Sequence, residues 1–268
     1  MEHALIQPSQ LAEAPLEQVW ARLDLVMDPE LDEPVTDMGF IEAVSITGPG
    51  EVTVSFRLPT YWCSPNFAFL MAEGIKREIE ALPWVVQAVV TLQDHMAADE
   101  MNAAVNSGAS FGSVFADLHP GEDLAELREK FDIKAFQRRQ EVVIKALIAQ
   151  GCPFEEVVTL SLADFALIDF ADPEDQRQRG RYMALLLAKG LAAKPGDRAI
   201  VTYQGTPIAV DDFKTYMGLL RSVRINMEFS GSLCRGLKAS RYKQADLTGE
   251  VPILVDFGQS DLPTHTCR

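Results

Sequence analysis

Apolar and polar positions near the start of the chain switch between helical and strand periodicity. Residues 16–27 repeat apolar side chains at helical spacing, which predicts a helix that ends before Asp28 and Pro29. Two segments that alternate apolar and polar residues flank a Gly-Pro-Gly turn, as in a β-hairpin. The predicted elements are a helix over 16–27, strands over 39–46 and 51–58, a helix over 66–81 and a strand over 85–92. This order predicts a small α+β domain.

Residues 97–121 differ in composition from the segments on either side. Alanine, serine and glycine are frequent, and His119-Pro120-Gly121 closes the stretch. Such a run of small, turn-forming residues predicts a linker with about one helical turn.

The rest of the chain shows mainly helical periodicity. Residues 122–150 give the longest helical pattern, which Gly151 and Pro153 end. After it we predict a helix over 174–189, a β-hairpin over 199–210 that turns at Gln204-Gly205, a helix over 211–222 and a strand over 251–257. The predicted fold class is α+β, with a helix-strand-strand-helix-strand domain over 1–96, a linker over 97–121 and a mainly helical, partner-binding domain with a β-hairpin over 122–268.

Charge is distributed unevenly along the chain, whose formal net charge is −15. Residues 1–120 hold 18 acidic and 4 basic side chains, so this part is not expected to bind nucleic acid. Residues 214–243 hold seven basic side chains and one acid. This basic stretch is interpreted as a solvated face, as a surface that contacts the acidic first domain, or as a surface for an acidic partner. The candidate partner-binding residues are Arg221, Arg224, Arg235, Lys238 and Arg241.

The cysteines and the hydropathy pattern indicate a cellular compartment. Cys63, Cys152, Cys234 and Cys267 stand far apart without a CxxC pair, which favours a reducing environment over a disulfide framework. No apolar run approaches the roughly 20 residues of a membrane span, and the first residues do not resemble a signal peptide. We therefore expect a cytoplasmic protein without a membrane partner.

Cys63 lies in the loop between a predicted strand and a predicted helix. Ser64 is suited to cap that helix and Pro65 to its first turn. Amide groups and the dipole at a helix start favour the thiolate, which is a better nucleophile and a better ligand for soft metals. The alternative is a buried structural cysteine.

A group of carboxylates precedes the hairpin. Asp32 and Glu33 are expected to cap a turn or face solvent, as turn carboxylates usually do. Asp37, directly before the first strand of the hairpin, would lie near the Cys63 loop if the two strand ends meet.

Several of these features together resemble the iron–sulfur cluster assembly family, the SufT/PaaD-like domain, over about residues 16–95. They are Asp28-Pro29-Glu30, Asp37-Met38-Gly39, the strand VTVSFRLPT, Cys63 with its nearby proline, and Leu82-Pro83-Trp84-Val85 followed by a strand. The resemblance implies a small α/β fold, a role in metallocentre maturation, and a functional and metal-binding thiol at Cys63. The supporting loop residues would be Asp28, Glu30, Asp37 and Ser64. The sequence departs from the family at Ser64, which separates the cysteine from its proline, and at Tyr61-Trp62, which replace smaller residues.

The segment around Cys234 has a fainter similarity. Leu233-Cys234-Arg235-Gly236-Leu237 and Ser240-Arg241-Tyr242 are similar to extended family members encoded beside bacterial soluble di-iron monooxygenases. The similarity implies that the first domain handles iron or a cluster while the second recognises a client metalloprotein, such as di-iron monooxygenase subunits. Cys234 lies among basic residues and is expected to have a lowered pKa, unless it is a structural cysteine.

The predicted function is that of an accessory factor with chaperone-like character, not an enzyme with turnover. A stable iron–sulfur cluster normally takes four thiolates, so no cofactor is expected to be permanently bound. Transient iron or cluster binding, or a site shared within a homodimer, fits the scattered cysteines. The alternatives are a thiol enzyme that pairs Cys63 with His95, and a scaffold module without a metal role. Histidine spacing does not fit a zinc hydrolase, and no GxSxG motif indicates a serine hydrolase.

Overall fold

A three-stranded sheet organises the N-terminal half of the protein. The structure is a computed structural model that describes residues 8–115 and 124–242, with side chains from residue 15. Strands β3 (Ile41–Gly48) and β4 (Glu51–Arg57) form the predicted hairpin, with Val44 opposite Val54. Strand β5 (Gln87–Gln93) pairs in parallel with β4, with Val90 opposite Val54. Before the sheet come α1 (Pro8–Leu23) and a two-residue ladder of β1 (Met27–Asp28) and β2 (Glu33–Pro34).

Helix α2 (Pro65–Glu80) makes the crossover that two parallel strands require. Its buried face packs with inward side chains of β4 and β5, and their alternation matches the strand period. The buried residues of this layer are Val52, Val54, Phe56, Ala68, Met71, Ala72, Ile75, Ile79, Ala88, Val90 and Leu92. The predicted hairpin, helix and third strand are therefore confirmed.

Gly50 at the hairpin turn cannot be replaced by a larger residue without rearrangement. Its φ of +78° lies in the left-handed region, and a Cβ atom there would come within 2.8 Å of the Trp84 carbonyl oxygen. The close approach exists because the Val86 amide donates to the Gly50 carbonyl at 2.7 Å. The turn of the hairpin is thereby joined to the start of β5.

Residues 98–115, which composition predicted as linker, are instead helices packed on the N-terminal core. Helix α3 (Ala98–Ser107) and the short α4 (Phe111–Val114) bury Met101, Ala104, Val105 and Phe111. The small side chains allow α3 to lie close to the sheet. The same composition is typical of linkers, so composition alone predicts the wrong structure here. The remaining linker residues, 116–121, lie outside the described part of the chain.

Two asparagines of α3 cover the edge of the sheet. The Asn102 side chain accepts from the Leu92 amide at 2.7 Å and donates to the Leu92 carbonyl at 3.1 Å. The Asn106 side chain makes the same pair of bonds with Val90, at 2.9 and 2.8 Å. An amide side chain carries one donor group and one acceptor, so each asparagine replaces one residue of a neighbouring strand. The otherwise open edge of β5 is thus satisfied.

The C-terminal half is helical, as predicted, and has its own apolar core. It comprises α5 (Leu124–Ala149), α6 (Phe154–Val157), α7 (Leu162–Leu167), α8 (Pro173–Ala188) and α9 (Phe213–Arg241). Tyr182 is fully buried at the centre of this core. Its hydroxyl donates to the Ala199 carbonyl at 2.7 Å and accepts from the Gln140 amide at 2.8 Å.

Two predicted elements of this half differ in extent from the structure. The hairpin over 199–210 is reduced to a single bridge between Val201 and Pro207 around a turn at Gly205. The helix predicted over 211–222 continues as α9 to Arg241, so residues 214–241 of the basic stretch lie on one helix. The second half of α9 lacks the apolar periodicity of a buried helix, because its apolar residues Ile225 and Phe229 are exposed. The strand predicted over 251–257 lies outside the described residues.

A buried ion pair joins the two halves. Asp32 is 3% exposed, and its carboxylate receives two bonds from the Arg139 guanidinium, at 2.8 and 2.5 Å. Arg138 donates to the Asp32 carbonyl oxygen at 3.1 Å. The prediction that Asp32 caps a turn or faces solvent is therefore wrong. The division of the chain into domains at residues 96 and 121 stays a prediction.

Removing the charge of Asp32 should destabilise the whole protein. Asp32→Asn keeps the size of the side chain and tolerates the φ of +52° at this position. It leaves the Arg139 guanidinium without its counter-charge, which typically costs about 3–5 kcal/mol of the free energy of unfolding. Urea denaturation followed by circular dichroism measures the loss.

The matched control is Glu126→Gln, which removes the acid of an exposed pair with Lys130. This change should alter the free energy of unfolding by less than about 0.5 kcal/mol, because solvent screens such pairs. A loss for Asp32→Asn as small as that of the control would contradict a joining role for the buried pair.

Candidate functional site

Cys63 lies in the loop between β4 and α2, where the sequence placed it. Its side chain is half-buried against the N-terminal core, and its Sγ is 3.3 Å from the Thr60 hydroxyl. Ser64 occupies the position before α2, but its side chain makes no capping hydrogen bond, contrary to prediction. The Ser64 backbone carbonyl instead accepts from the amides of Phe67 and Ala68, both at 3.1 Å. These first-turn amides therefore point to the backbone and not to the sulfur.

His95 supports the Cys63 loop through the backbone. Its Nδ1 is 3.2 Å from the Ala97 amide, which donates to it, so the other ring nitrogen carries the proton. That Nε2 donates to the Cys63 carbonyl oxygen at 2.8 Å. Burial lowers the pKa of His95, and the bond to Cys63 opposes this only in part. The predicted neighbours Cys63 and His95 do meet, but through a carbonyl oxygen and not through the sulfur.

The acidic turn before the hairpin is folded inward. The Asp28 Oδ1 accepts from the amides of Glu30 and Leu31 at 2.9 and 3.0 Å, and the Asp28 carbonyl accepts from the Asp32 amide at 2.9 Å. Burial raises the pKa of Asp28 to about 6, and the nearby charges of Glu30 and Glu33 add to the shift. Asp28 is therefore a carboxyl group whose charge is disfavoured by its surroundings.

Two further acids of this region have partners in the second half of the chain. Glu33 pairs with Arg235 at 2.5 Å, so the expectation that it would cap or be solvated is wrong. Asp37 is exposed, and its carboxylate lies 4.0 Å from the Arg177 guanidinium. A position of Asp37 near the Cys63 loop stays a prediction.

Cys234 of α9 lies against the N-terminal core, on the same apolar cluster as Cys63. Burial raises the pKa of Cys234 to about 11, and the charges of Asp28, Cys63 and Glu30 raise it further. Arg235 opposes this shift, but its guanidinium points to Glu33 and to the Met38 sulfur. The predicted lowering of the Cys234 pKa is therefore wrong.

The basic stretch mostly contacts acids of its own chain. Lys238 pairs with Glu42 at 3.1 Å, and Arg241 pairs with Asp94 at 2.9 Å. Arg224 contacts Glu141 and Glu228, while Arg221 is exposed. Of the three interpretations of the basic stretch, the structure shows contact with the acidic first part of the chain for Arg235, Lys238 and Arg241. A partner-binding role for the stretch stays a prediction.

Tyr61 and Trp62 form an exposed aromatic pair beside Cys63. Their rings meet edge to face at 4.9 Å, and Trp62 is 73% exposed. The Arg241 guanidinium lies 5.9 Å from the Tyr61 ring, which brings the end of α9 to the loop. The sequence signal for this surface is the departure from the family at Tyr61-Trp62, where aromatic residues replace smaller ones.

The described residues contain no group of three or more histidine, cysteine, aspartate or glutamate side chains arranged to hold a metal ion. The thiols of Cys63 and Cys234 are the soft donors of this region. A stable cluster normally takes four thiolates, so transient binding of iron or a cluster stays a prediction.

Residues 16–90 match the family described as iron-sulfur cluster assembly protein. The match includes β1 to β4, the Cys63 loop, α2 and the start of β5. The rest of the chain lies outside the match. No curated protein matches the chain. None of the helices in the described ranges is long and apolar enough to cross a membrane.

The stability contribution of Asp28 should depend on pH. The folded protein holds the Asp28 proton up to a pKa of about 6, whereas the unfolded chain releases it near 3.8. Wild-type stability should therefore fall relative to Asp28→Asn as pH rises from 4 to 7, by on the order of 3 kcal/mol. The asparagine keeps the acceptor for the Glu30 and Leu31 amides.

Urea unfolding of both proteins at pH 4, 5, 6 and 7 measures this difference. Other titrating groups are common to both proteins, so their effects cancel in the comparison at each pH. A difference that stays constant across this range would show that Asp28 is not held in its neutral form.

Proposed function

We propose that this protein is an accessory factor in iron or iron–sulfur metallocentre maturation that acts through Cys63. The family match of residues 16–90 supports the maturation role. The observation that carries the part of Cys63 is its half-buried thiol in a loop next to the exposed Trp62. The thiol would hold iron or a cluster transiently, as cargo on its way to a client metalloprotein.

Hydrogen bonds hold the backbone of the loop that carries Cys63, whereas the Trp62 side chain in this loop is exposed to solvent. His95 bonds to the Cys63 carbonyl, and the Met96 amide donates to the Tyr61 carbonyl at 3.0 Å. These bonds fix the backbone on both sides of Trp62 while the indole stays exposed. A rigidly held, exposed aromatic residue is the kind of anchor that protein interfaces use. A client would therefore bind over Tyr61 and Trp62 and reach the thiol beside them.

We further propose that the client is a di-iron monooxygenase. The support is the similarity of residues 233–237 and 240–242 to extended family members encoded beside such enzymes. In the structure, Arg235, Arg241 and Tyr242 of these segments contact the first half of the chain. The segments that carry the similarity are thus the ones that hold α9 against the acidic turn and the Cys63 loop.

The thiol-enzyme alternative has less support. A cysteine–histidine enzyme requires the base within hydrogen-bond reach of the nucleophilic sulfur. The Nε2 atom of His95 instead donates its proton to the Cys63 carbonyl, and its Nδ1 atom accepts from the Ala97 amide.

Cys63→Ser should preserve the fold and abolish support of the client's metal site. Serine has nearly the same size and keeps the contact with Thr60, but a hydroxyl is a poor ligand for soft metals. The variant is expressed in cells that lack the wild-type protein, and the iron content of the purified client is measured. We expect a loss of at least about tenfold, as for removal of a group that binds the metal.

Cys152→Ser is the matched control, because Cys152 is also half-buried but lies on the C-terminal core. It should leave the client's iron content unchanged. Full iron content of the client with Cys63→Ser would overturn the proposed function.

A further inference from the structure

The outer face of helix α9 carries a stripe of exposed apolar residues. Ile225, Phe229, Leu233 and Leu237 follow one another at four-residue spacing, so they form one ridge along the helix. Between 41% and 71% of each residue is exposed, and Phe229 is the most exposed of the four. Met227, which is buried, lies on the opposite face. The stripe therefore points away from the core that holds α9 in place.

Charged side chains are absent from the outer face of α9 between residues 222 and 240. Besides the stripe, this face consists of Ser222, Asn226, Ser232, Gly236 and Ser240, all of them exposed. Glu228 and Arg235 flank the face, and each has an ion-pair partner in its own chain. A helix that is solvated on one side normally carries charges there. The composition of this face is instead that of a helix that packs on both sides.

The small residues of the outer face leave room for a second helix. A Cβ atom added at Gly236 would meet no other atom within 4 Å, so the space above this residue is open. Small residues beside a ridge of larger ones form a groove, and such a groove receives the ridge of a neighbouring helix. The stripe and the groove beside it are thus both parts of one helix-packing surface.

The extent of the stripe is that of an interface. Its four side chains together expose on the order of 400 Å², which equals the largest apolar patch of an ordinary monomer. The outer face from residue 222 to residue 240 is about 28 Å long. A helix packed along this length, with the surface on either side of it, would bury roughly the 800 Å² per partner of a standard interface.

The charges at the two ends of α9 indicate what covers the stripe. Lys214 and Arg221 are exposed near the start of the helix, and neither has an ion-pair partner within residues 8–115 and 124–242. The other end of α9 rests on the acidic first half of the chain, where Arg241 pairs with Asp94. Residues 1–120 of this half hold 18 acidic and 4 basic side chains. One end of α9 therefore offers unpaired cations, and the other lies beside an excess of acids.

We propose that the outer face of α9 is the interface of a homodimer in which two copies of this helix pack antiparallel. Ile225 then lies against the partner's Leu237, and Phe229 lies against the partner's Leu233. The four-residue spacing makes the stripe complementary to itself under a two-fold axis, and a two-fold contact closes on two copies. The antiparallel direction also brings the exposed cations of each copy toward the acidic first half of the other, which steers association.

A second copy of the chain meets both requirements of this surface. It supplies an apolar ridge of the same spacing, and it supplies an acidic surface at the end where the cations lie. The uncharged stripe is also a place where two molecules of net charge −15 can meet without direct repulsion between like charges. The inference goes beyond the proposed function and does not depend on it, because α9 lies outside the family match.

Sedimentation velocity of the full chain over a range of concentrations tests the dimer. We expect the wild-type protein to dimerise and Phe229→Glu to weaken the dimer by at least about thirtyfold, as for loss of a central aromatic anchor. Phe229 is largely exposed within one chain, so the variant should keep the wild-type melting temperature. A wild-type chain that remains a monomer at its highest soluble concentration would overturn the proposal.

The matched control is Leu167→Glu, which places the same charge on another exposed apolar residue. Leu167 is 81% exposed and lies on α7, away from the outer face of α9. This change should leave the dimer as strong as in the wild type. Equal weakening by Leu167→Glu and Phe229→Glu would show that added charge in general, and not the stripe, sets the association.

The direction of the two helices is tested at Arg221. In the antiparallel dimer this residue approaches the acidic half of the partner, so Arg221→Glu should weaken dimerisation by about fivefold, and less so in high salt. A parallel pair would place Arg221 beside the partner's Arg221, and the substitution would then strengthen the dimer or leave it unchanged. Either of those results would contradict the antiparallel arrangement.

A mixing experiment tests whether the two stripes contact each other. One chain carries Phe229→Glu and Leu233→Glu, and the other carries Phe229→Lys and Leu233→Lys. Each alone should be a monomer, because like charges meet across the two-fold axis, whereas the mixture should form a one-to-one dimer. Wild-type dimers that persist in either double variant would show that another surface makes the dimer, and a surface that only binds a client would give no dimer at all.

Discussion

The buried contact between Asp32 and Arg139 is the interaction on which the arrangement of the two halves depends. Asp32 lies in the left-handed region, in the turn where its amide donates to the Asp28 carbonyl. Arg139 of α5 meets it with two hydrogen bonds. A charge buried without its partner is costly, and this cost fixes α5 against the acidic turn.

The placement of α9 follows from its contacts with α5 and with the N-terminal half. It packs along α5 through Arg224, which pairs with Glu141, and its far end then extends over the N-terminal half. There the acids of the first half neutralise its cations, at Glu33, Glu42 and Asp94. The uneven charge of the chain is thereby explained as an internal complementarity, since an acidic half and a basic helix attract each other.

The thiol of Cys63 is positioned by this frame more than by its own helix. The backbone of its loop is held by His95 and by the bond between Met96 and Tyr61, both of which follow β5. The sheet edge beside it is closed by Asn102 and Asn106 of α3. Sheet, loop and α3 therefore form one unit, and Cys234 of α9 packs against its apolar core.

The local pattern of the chain determined the hairpin, α2, β5 and the loop position of Cys63, because alternation, helical periodicity and proline act within a few residues. The family resemblance of the first part was also contained in the sequence. What only the tertiary structure decided were interactions between distant residues. The asparagines of α3 give no signal in the sequence, because their role depends on β5 lying beside them. Asp32 has the sequence context of an ordinary turn acid, and only the contact with Arg139 distinguishes it. The pKa of Cys234 depends in the same way on burial and on Asp28, Cys63 and Glu30, and not on its basic sequence neighbours. Sequence neighbours set backbone preference, whereas solvent exclusion and charge pairing are set by whatever the fold brings within a few ångströms.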